Sequence, residues 1–339
     1  MKDDLTRRVN LLSRSFTCVR SVSRIPGRRA RKAGTFWPSF ILPPSSFQQR
    51  RATLLVLLLA GAALAAPALA YESVLYEKTS AYSSIVVTDE GDGLRALRFG
   101  RNGVRQSLVK PGDPEYLGLP YTRVALTGLA LSVEPRRILV VGLGGGTLPA
   151  FLRRHYPDAA IDAVDIDPEV AFVAREYFGF KEDARMRIHV ADGRKFIEDV
   201  REPYDAIFLD AFGSDAVPSH LTTQEFLQAV RRAVTPGGVV IGNIWDRAYN
   251  RLYDSMVRTY RAAFEELFVV AVGDSGNRIL FALPRRQPLA RSELAGAVRG
   301  SQAARRFGFD MGGLVERGLL EEESAGGRVL RDPGVGAKK

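Results

Sequence analysis

The chain has 339 residues, 46% of them hydrophobic, a single cysteine and a formal net charge of +10. That length holds one large domain or two small ones with a sizeable core. The charge is localised: residues 1–51 carry twelve Lys/Arg against two acids, 52–70 carry none, and 71–339 balance at 36 of each. A neutral body offers no electrostatic case for nucleic acid. Cys18 lies in the basic leader, so the rest of the chain forms neither a disulfide nor a thiolate metal site. His155, His189 and His220 are far apart in sequence and make no ligand motif, so no metal is expected.

Residues 1–51 read as a basic, disordered leader, or as translation from too early a start; a transit peptide is a further alternative. Arg50 and Arg51 precede the apolar run ATLLVLLLAGAALAA, and Ala68-Leu69-Ala70 supplies an A-x-A ending. Residues 52–70 therefore read as a signal-peptide core with its cleavage site, or as an uncleaved anchor that gives membrane association. Either reading sends the remainder out of the cytoplasm, to the periplasm or the outer face of the membrane. A start-site artefact would leave it cytoplasmic.

Residues 71–120 are expected to form a small β domain. The runs 84–88 and 94–99 are strand-like and are separated by the turn cluster 89–93, and Asn102-Gly103 marks a second turn before Val104. Apolar residues then recur at helical spacing from Tyr121 to Leu131, which predicts a helix leading into an α/β domain over 121–284. There strands and helices alternate. Strands are expected at 138–141, 163–166, 186–190, 206–209 and 239–244, with a helix opened by the cap Asp167 and Pro168 and closed by Gly179. Such alternation predicts a doubly wound, mostly parallel sheet. Strands 268–272 and 278–282 are joined by only five residues, too few for a parallel crossover, so the seven-stranded sheet ends in an antiparallel hairpin. That ending suits a methyltransferase-like Rossmann fold better than a nicotinamide dehydrogenase. Residues 285–339 read as a helical extension (286–323) and a frayed tail (324–339).

The chemistry gathers at the carboxyl ends of the strands, where open α/β sheets bind ligands. Gly142-Leu143-Gly144-Gly145-Gly146-Thr147 lies between the first strand and its helix, where glycines allow close backbone approach and a helix N-terminus offers free N–H groups. Thr147 stands where a dinucleotide fingerprint has its third glycine. Gly142, Gly144 and Gly146 instead suit a nucleoside-sulfonium site. Asp165 ends the second strand about 20 residues on, where a carboxylate takes both ribose hydroxyls. Asp192, followed by Gly193, ends the third strand as an adenine-side residue or a helix cap, and Asp210 ends the fourth. His220 reads as a loop residue, Tyr82 and Tyr121 as packing or ligand residues, and Asn243 and Trp245 as pocket border or core closure.

Together these segments resemble the spermidine synthase (polyamine aminopropyltransferase) family: VVGLGGGTL at 140–148, VDID at 164–167, ADGRKF at 191–196, YDAIFLD at 204–210, LTTQEF at 221–226 and Pro236-Gly237-Gly238. Asn102-Gly103-Val104-Arg105-Gln106 extends the likeness upstream, and it covers residues 72–284. The resemblance implies decarboxylated S-adenosylmethionine, or S-adenosylmethionine itself, held by Gly142, Gly144, Gly146, Asp165, Asp192 and Gly193. Asp210 would assist an amine nucleophile, Gln106, Tyr82, Tyr121 and Asp215 would line the acceptor site, and a homodimer is implied. The departures fall on the acceptor half. The glycine turn lacks the family's aspartate, and Tyr121-Thr122-Arg123 replaces Tyr-His-Glu, which puts a cation where an acid stood. Ser83 replaces a glutamine, and Asp215 is the one candidate for the second acid of D-x-x-D. A small-molecule methyltransferase and a non-catalytic exported domain of the same fold are the alternatives.

Overall fold

A computed structural model describes residues 73–335 apart from 133, 214, 215, 274, 288 and 322–325. The leader, the 52–70 segment and Asp215 lie outside the described residues. The described residues all fall within one compact unit.

The unit opens with a four-stranded antiparallel meander, β1 (Ser73–Thr79), β2 (Ser84–Gly91), β3 (Leu94–Phe99) and β4 (Arg105–Val109), paired in chain order. The sequence reading missed β1. Its side chains are exposed except for the half-buried Tyr76, so it lacks the continuous buried run that marks β2. Helix α1 (Pro120–Thr127) follows. The expected helix to residue 131 tightens into a 3-10 turn from Gly128, where an added Cβ would sit 2.7 Å from Ile241 and 2.8 Å from Phe281.

The second sheet has seven strands: β5 (Arg137–Val141), β6 (Ala160–Asp165), β7 (Met186–Val190), β8 (Tyr204–Leu209), β9 (Val234–Trp245), β10 (Glu266–Ala271) and β11 (Asn277–Leu283). Their spatial order is β10-β11-β9-β8-β5-β6-β7, with β11 antiparallel to both neighbours and every other pairing parallel. The expected fold class is the observed one. Alternate residues of each strand enter two separate cores, as a sheet covered on both faces requires. Ile138, Val140, Phe208, Ile241 and Phe281 pack with α2 (Thr147–His155), α3 (Pro168–Glu176) and the C-terminal helices α7 (Arg291–Gly300) and α9 (Met311–Gly318). Leu139, Val141, Ile207, Val240 and Leu280 pack with α4 (Gly193–Glu198), α5 (Gln224–Ala233) and α6 (Tyr253–Ala263). A short helix, α8 (Gln302–Arg306), lies between α7 and α9.

The order reverses between β5 and β8, which creates a crevice at the carboxyl ends of these central strands. Two boundaries differ from expectation. Strand β9 begins at Val234 rather than 239, running through Pro236-Gly237-Gly238. Residues 326–335, expected as a frayed tail, are tied by hydrogen bonds to α5 and α6: Gln224 N–H donates to the Leu330 carbonyl at 2.8 Å, and Leu330 N–H to Thr259 Oγ1 at 2.9 Å.

Candidate functional site

The glycine turn after β5 is fixed from three sides. Asp165 Oδ2, at the end of β6, accepts from Leu143 N–H at 2.9 Å, and Ser107 Oγ, on β4, accepts from Gly145 N–H at 2.8 Å. Gly146 N–H closes the turn on the Leu143 carbonyl at 2.9 Å. Gly142 has φ +100°, and a Cβ there would lie 2.2 Å from the Asp210 carbonyl oxygen, so only glycine lets β5 and the end of β8 come this close. At Gly144 a Cβ would meet Ser107 Oγ at 2.4 Å. Gly146 caps α2 with φ +77° and packs against the Phe180 ring; it does not line the cleft.

The cleft beyond this turn has a volume of about 720 Å³. Its walls include the candidates Tyr82, Gln106, Tyr121, Gly142, Gly144, Asp165, Asp192, Gly193 and Asp210. The fold thus brings together side chains separated by more than a hundred residues. Asp215 lies outside the described residues. Arg123, expected as a cation in the acceptor half, is exposed on α1 and absent from the cleft walls. The charge reversal seen in the sequence therefore does not reach the pocket.

Asp165 is half-buried, and its second oxygen accepts from Asp167 N–H at 3.0 Å. Burial pushes its carboxyl above the ordinary aspartate value, against the pull of the backbone N–H groups it accepts from. Asp167 caps α3, accepting from Glu169 N–H at 2.9 Å, and also accepts from the Ser80 hydroxyl in the loop between β1 and β2. Asp192 caps α4 through Oδ1, at 2.8 Å from Arg194 N and 3.1 Å from Lys195 N. Its Oδ2 lies 3.2 Å from His220 Nε2, and both residues line the cleft. Asp192 is thus the helix cap that one of its two readings expected, and it also lines the cleft. His220, expected as a loop residue, is a wall of the cleft.

Asp210 is held at the centre. Its Oδ2 accepts from the Tyr121 hydroxyl at 2.7 Å and its Oδ1 from Asn243 Nδ2 at 2.8 Å. Asn277 Nδ2 donates to Asn243 Oδ1 at 2.9 Å, which fixes the orientation of the Asn243 amide. Burial raises the Asp210 carboxyl to about 6, opposed by the Asn243 and Tyr121 hydrogen bonds. The Tyr121 hydroxyl is pushed well above its ordinary value by burial and by the Asp210 charge, so it stays a donor. Beside Asp210, Phe212 stacks on Trp245 at 6.0 Å, and Trp245 meets Tyr249 edge-on at 6.0 Å.

The site combines a glycine turn, a carboxylate able to take vicinal hydroxyls, and a half-buried carboxylate poised to ionise near neutrality. It fits an adenosine sulfonium. The N-terminus of α2 has no side-chain cap, and the buried Thr147 hydroxyl at its first position has no hydrogen-bond partner. Both are donors at the cleft that a polar ligand would satisfy.

A model of the spermine/spermidine synthase domain matches residues 122–267. A polyamine aminopropyltransferase of Vibrio vulnificus (strain CMCP6) is 36% identical over 228 residues, covering 64% of this chain and 75% of that protein. The chain belongs to the polyamine aminopropyltransferase family. Among solved structures, a probable spermidine synthase from Corynebacterium glutamicum superposes with a TM-score of 0.61 at 24% identity, covering 79% of this chain and 99% of that one. Human methyltransferase-like protein 13 in complex with SAH superposes with a TM-score of 0.50 at 35% identity, covering 56% and 92%. Asn243 and Trp245 are resolved as pocket residues. The signal for Asn243 was a lone amide near the end of an apolar strand. Ser107 and Thr147 gave no comparable signal, because a hydroxyl on a strand or at a helix start is common in any fold.

Proposed function

We propose that this protein transfers an aminopropyl group from decarboxylated S-adenosylmethionine to an amine. The observation that carries the reading is Asp210. Its carboxylate is half-buried, held by Tyr121 and Asn243, and opens into the same cleft as the glycine turn and Asp165. Gly142, Gly144 and Asp165 would hold the adenosine, with Asp192 and Gly193 on its adenine side. The amine nitrogen attacks the methylene carbon bonded to the sulfonium. The C–S bond breaks, the C–N bond forms, and methylthioadenosine leaves with the electron pair on sulfur. The ammonium produced is one proton richer than the neutral amine product. Asp210 accepts that proton, or orients the amine so that its lone pair faces carbon.

Phe212, Trp245 and Tyr249 form an apolar wall beside Asp210, and Tyr82 stands 55% exposed at the mouth. Such a wall strengthens the electrostatic effect of Asp210 by excluding water, and its ring faces attract an ammonium. Export or anchoring through residues 52–70 and a homodimeric state belong to the same reading; fractionation and light scattering test them.

The deciding experiment incubates the protein with decarboxylated S-adenosylmethionine and, separately, with S-adenosylmethionine, each with putrescine, spermidine or monoamines. Release of methylthioadenosine with an aminopropylated amine is expected. Release of S-adenosylhomocysteine with a methylated product would replace this reading by methyl transfer. Binding of neither co-substrate would remove both.

A further inference from the structure

The last described stretch of the chain, residues 326–335, has no helix or strand, yet it is anchored along its length. Arg258 Nη1 donates to the Gly327 carbonyl at 3.0 Å, and Arg328 N–H donates to Ser255 Oγ at 3.2 Å. Leu330 is bonded on both sides of its backbone, to Gln224 N and to the fully buried Thr259. Asp332 N–H donates to Glu225 Oε2 at 2.9 Å. The segment therefore crosses α6 and α5 and ends against α4.

There it meets Arg194. The guanidinium makes a two-pronged contact with Asp332, Nη1 to Oδ1 at 2.7 Å and Nη2 to Oδ2 at 2.5 Å, and its Nε donates to Glu198 at 2.8 Å. The same Nη1 donates to the backbone carbonyl of His220 at 3.2 Å. His220 in turn places Nε2 3.2 Å from Asp192 Oδ2 at the cleft. Arg194 and Asp332 are each about one-fifth exposed, so the pair is shielded better than an ordinary surface bridge. Neither side chain lines the cleft. A continuous chain of bonds thus runs from the C-terminal segment to a pocket wall.

We propose that residues 326–335 form a strap whose Asp332, acting through Arg194, positions the His220–Asp192 wall and so sets the affinity of the cleft for the adenosine portion of its ligand. Arg194 and Asp332 are positioning residues. The fork matters because one planar group must serve a carboxylate and a carbonyl together, which a lysine ammonium cannot reproduce with fixed geometry. The proposal rests on the reading of the cleft as a sulfonium site.

Calorimetric titration with methylthioadenosine tests it on the full chain, on Asp332→Asn, on Asp332→Glu, and on a chain ending at residue 325. Asp332→Asn and the shortened chain are expected to bind about tenfold more weakly, and Asp332→Glu to recover much of the loss. A synthetic peptide of residues 326–335 should restore affinity to the shortened chain. In turnover, Asp332→Asn should raise KM for the sulfonium co-substrate and leave kcat near the wild-type value, a split that general loosening of the fold would not give. The control Arg331→Ala, which removes only a 3.5 Å contact to Glu225, should bind like wild type. Wild-type binding with Asp332→Asn binding equally well overturns the strap, whether or not the shortened chain folds. A wild type that binds no methylthioadenosine removes the sulfonium reading, and the strap's assigned role with it.

Discussion

At the scale of single residues, Asp210 couples activity to stability. Its carboxyl is raised from an ordinary 3.8 to about 6 by burial. A carboxyl raised on folding contributes stability below its unfolded value and loses it as pH climbs through the folded value. At pH 8 the ionised group therefore costs about 3 kcal/mol, the upper bound that a shift of this size allows. Asp210→Asn should abolish turnover and raise stability in urea at pH 8 by ~2 kcal/mol, with the gain vanishing near pH 4. Unfolding curves at the two pH values check the sign. The acid limb of kcat/KM should fall near 6, where this carboxylate protonates. Tyr121 donates to the ionised form and so lowers the Asp210 value. Tyr121→Phe should therefore move that limb to higher pH, by less than a unit, while turnover above pH 8 survives. A limb that stays put or moves down would separate Tyr121 from Asp210 function.

At the scale of elements, three short connections do most of the positioning: the glycine turn, the Asp167 cap and the Asp192 cap. Asp167 joins both sheets, since one oxygen caps α3 and the other accepts from Ser80 in the loop after β1. It is 2% exposed. Asp167→Ala removes an N-cap and the hydrogen bond from the Ser80 hydroxyl, so a loss of about 2 kcal/mol is expected. Thermal unfolding measures it, and Asp167→Asn, which keeps a capping oxygen, should recover more than half. The cap at Asp167 was readable in the sequence from the Pro168 that follows it, whereas Asp192 read equally as a cap or as an adenine-side residue. The tie between Ser107 and Gly145 was not readable. It joins β4 to the turn after β5 across 38 residues, and nothing local to either residue encodes it.

At the scale of the whole molecule, the cleft sits where the strand order reverses, with β4, α1 and the start of β11 closing it from outside the central strands. A ligand that binds only this assembled cleft must stabilise the folded state as a whole. Methylthioadenosine at a hundred times its Kd should add about 2.7 kcal/mol, visible as a rise of a few degrees in Tm. The Asp165→Ala variant should lose that rise while still unfolding cooperatively. The chain from 71 to 339 carries equal numbers of acids and bases. Its binding should therefore follow the shape and polarity of the cleft, with little dependence on salt.

The sequence by itself determined the α/β class, the positions of most strands along the chain, the terminal hairpin and the carboxylates at three strand ends. These are local: a buried parallel strand must be apolar throughout, a five-residue link must reverse direction, and a strand-to-helix turn needs glycine or a capping acid. Tertiary structure decided what those groups touch. It put Arg123 outside the pocket, joined Tyr121, Asp210, Asn243 and Asn277 into one network, moved Gly146 behind the cleft and tied down residues 326–335. Each of these depends on pairing residues distant in the chain, and side-chain direction is set only when the elements pack. A charge read from its place in a motif states that a cation exists, whereas the packing of α1 decides which way it points.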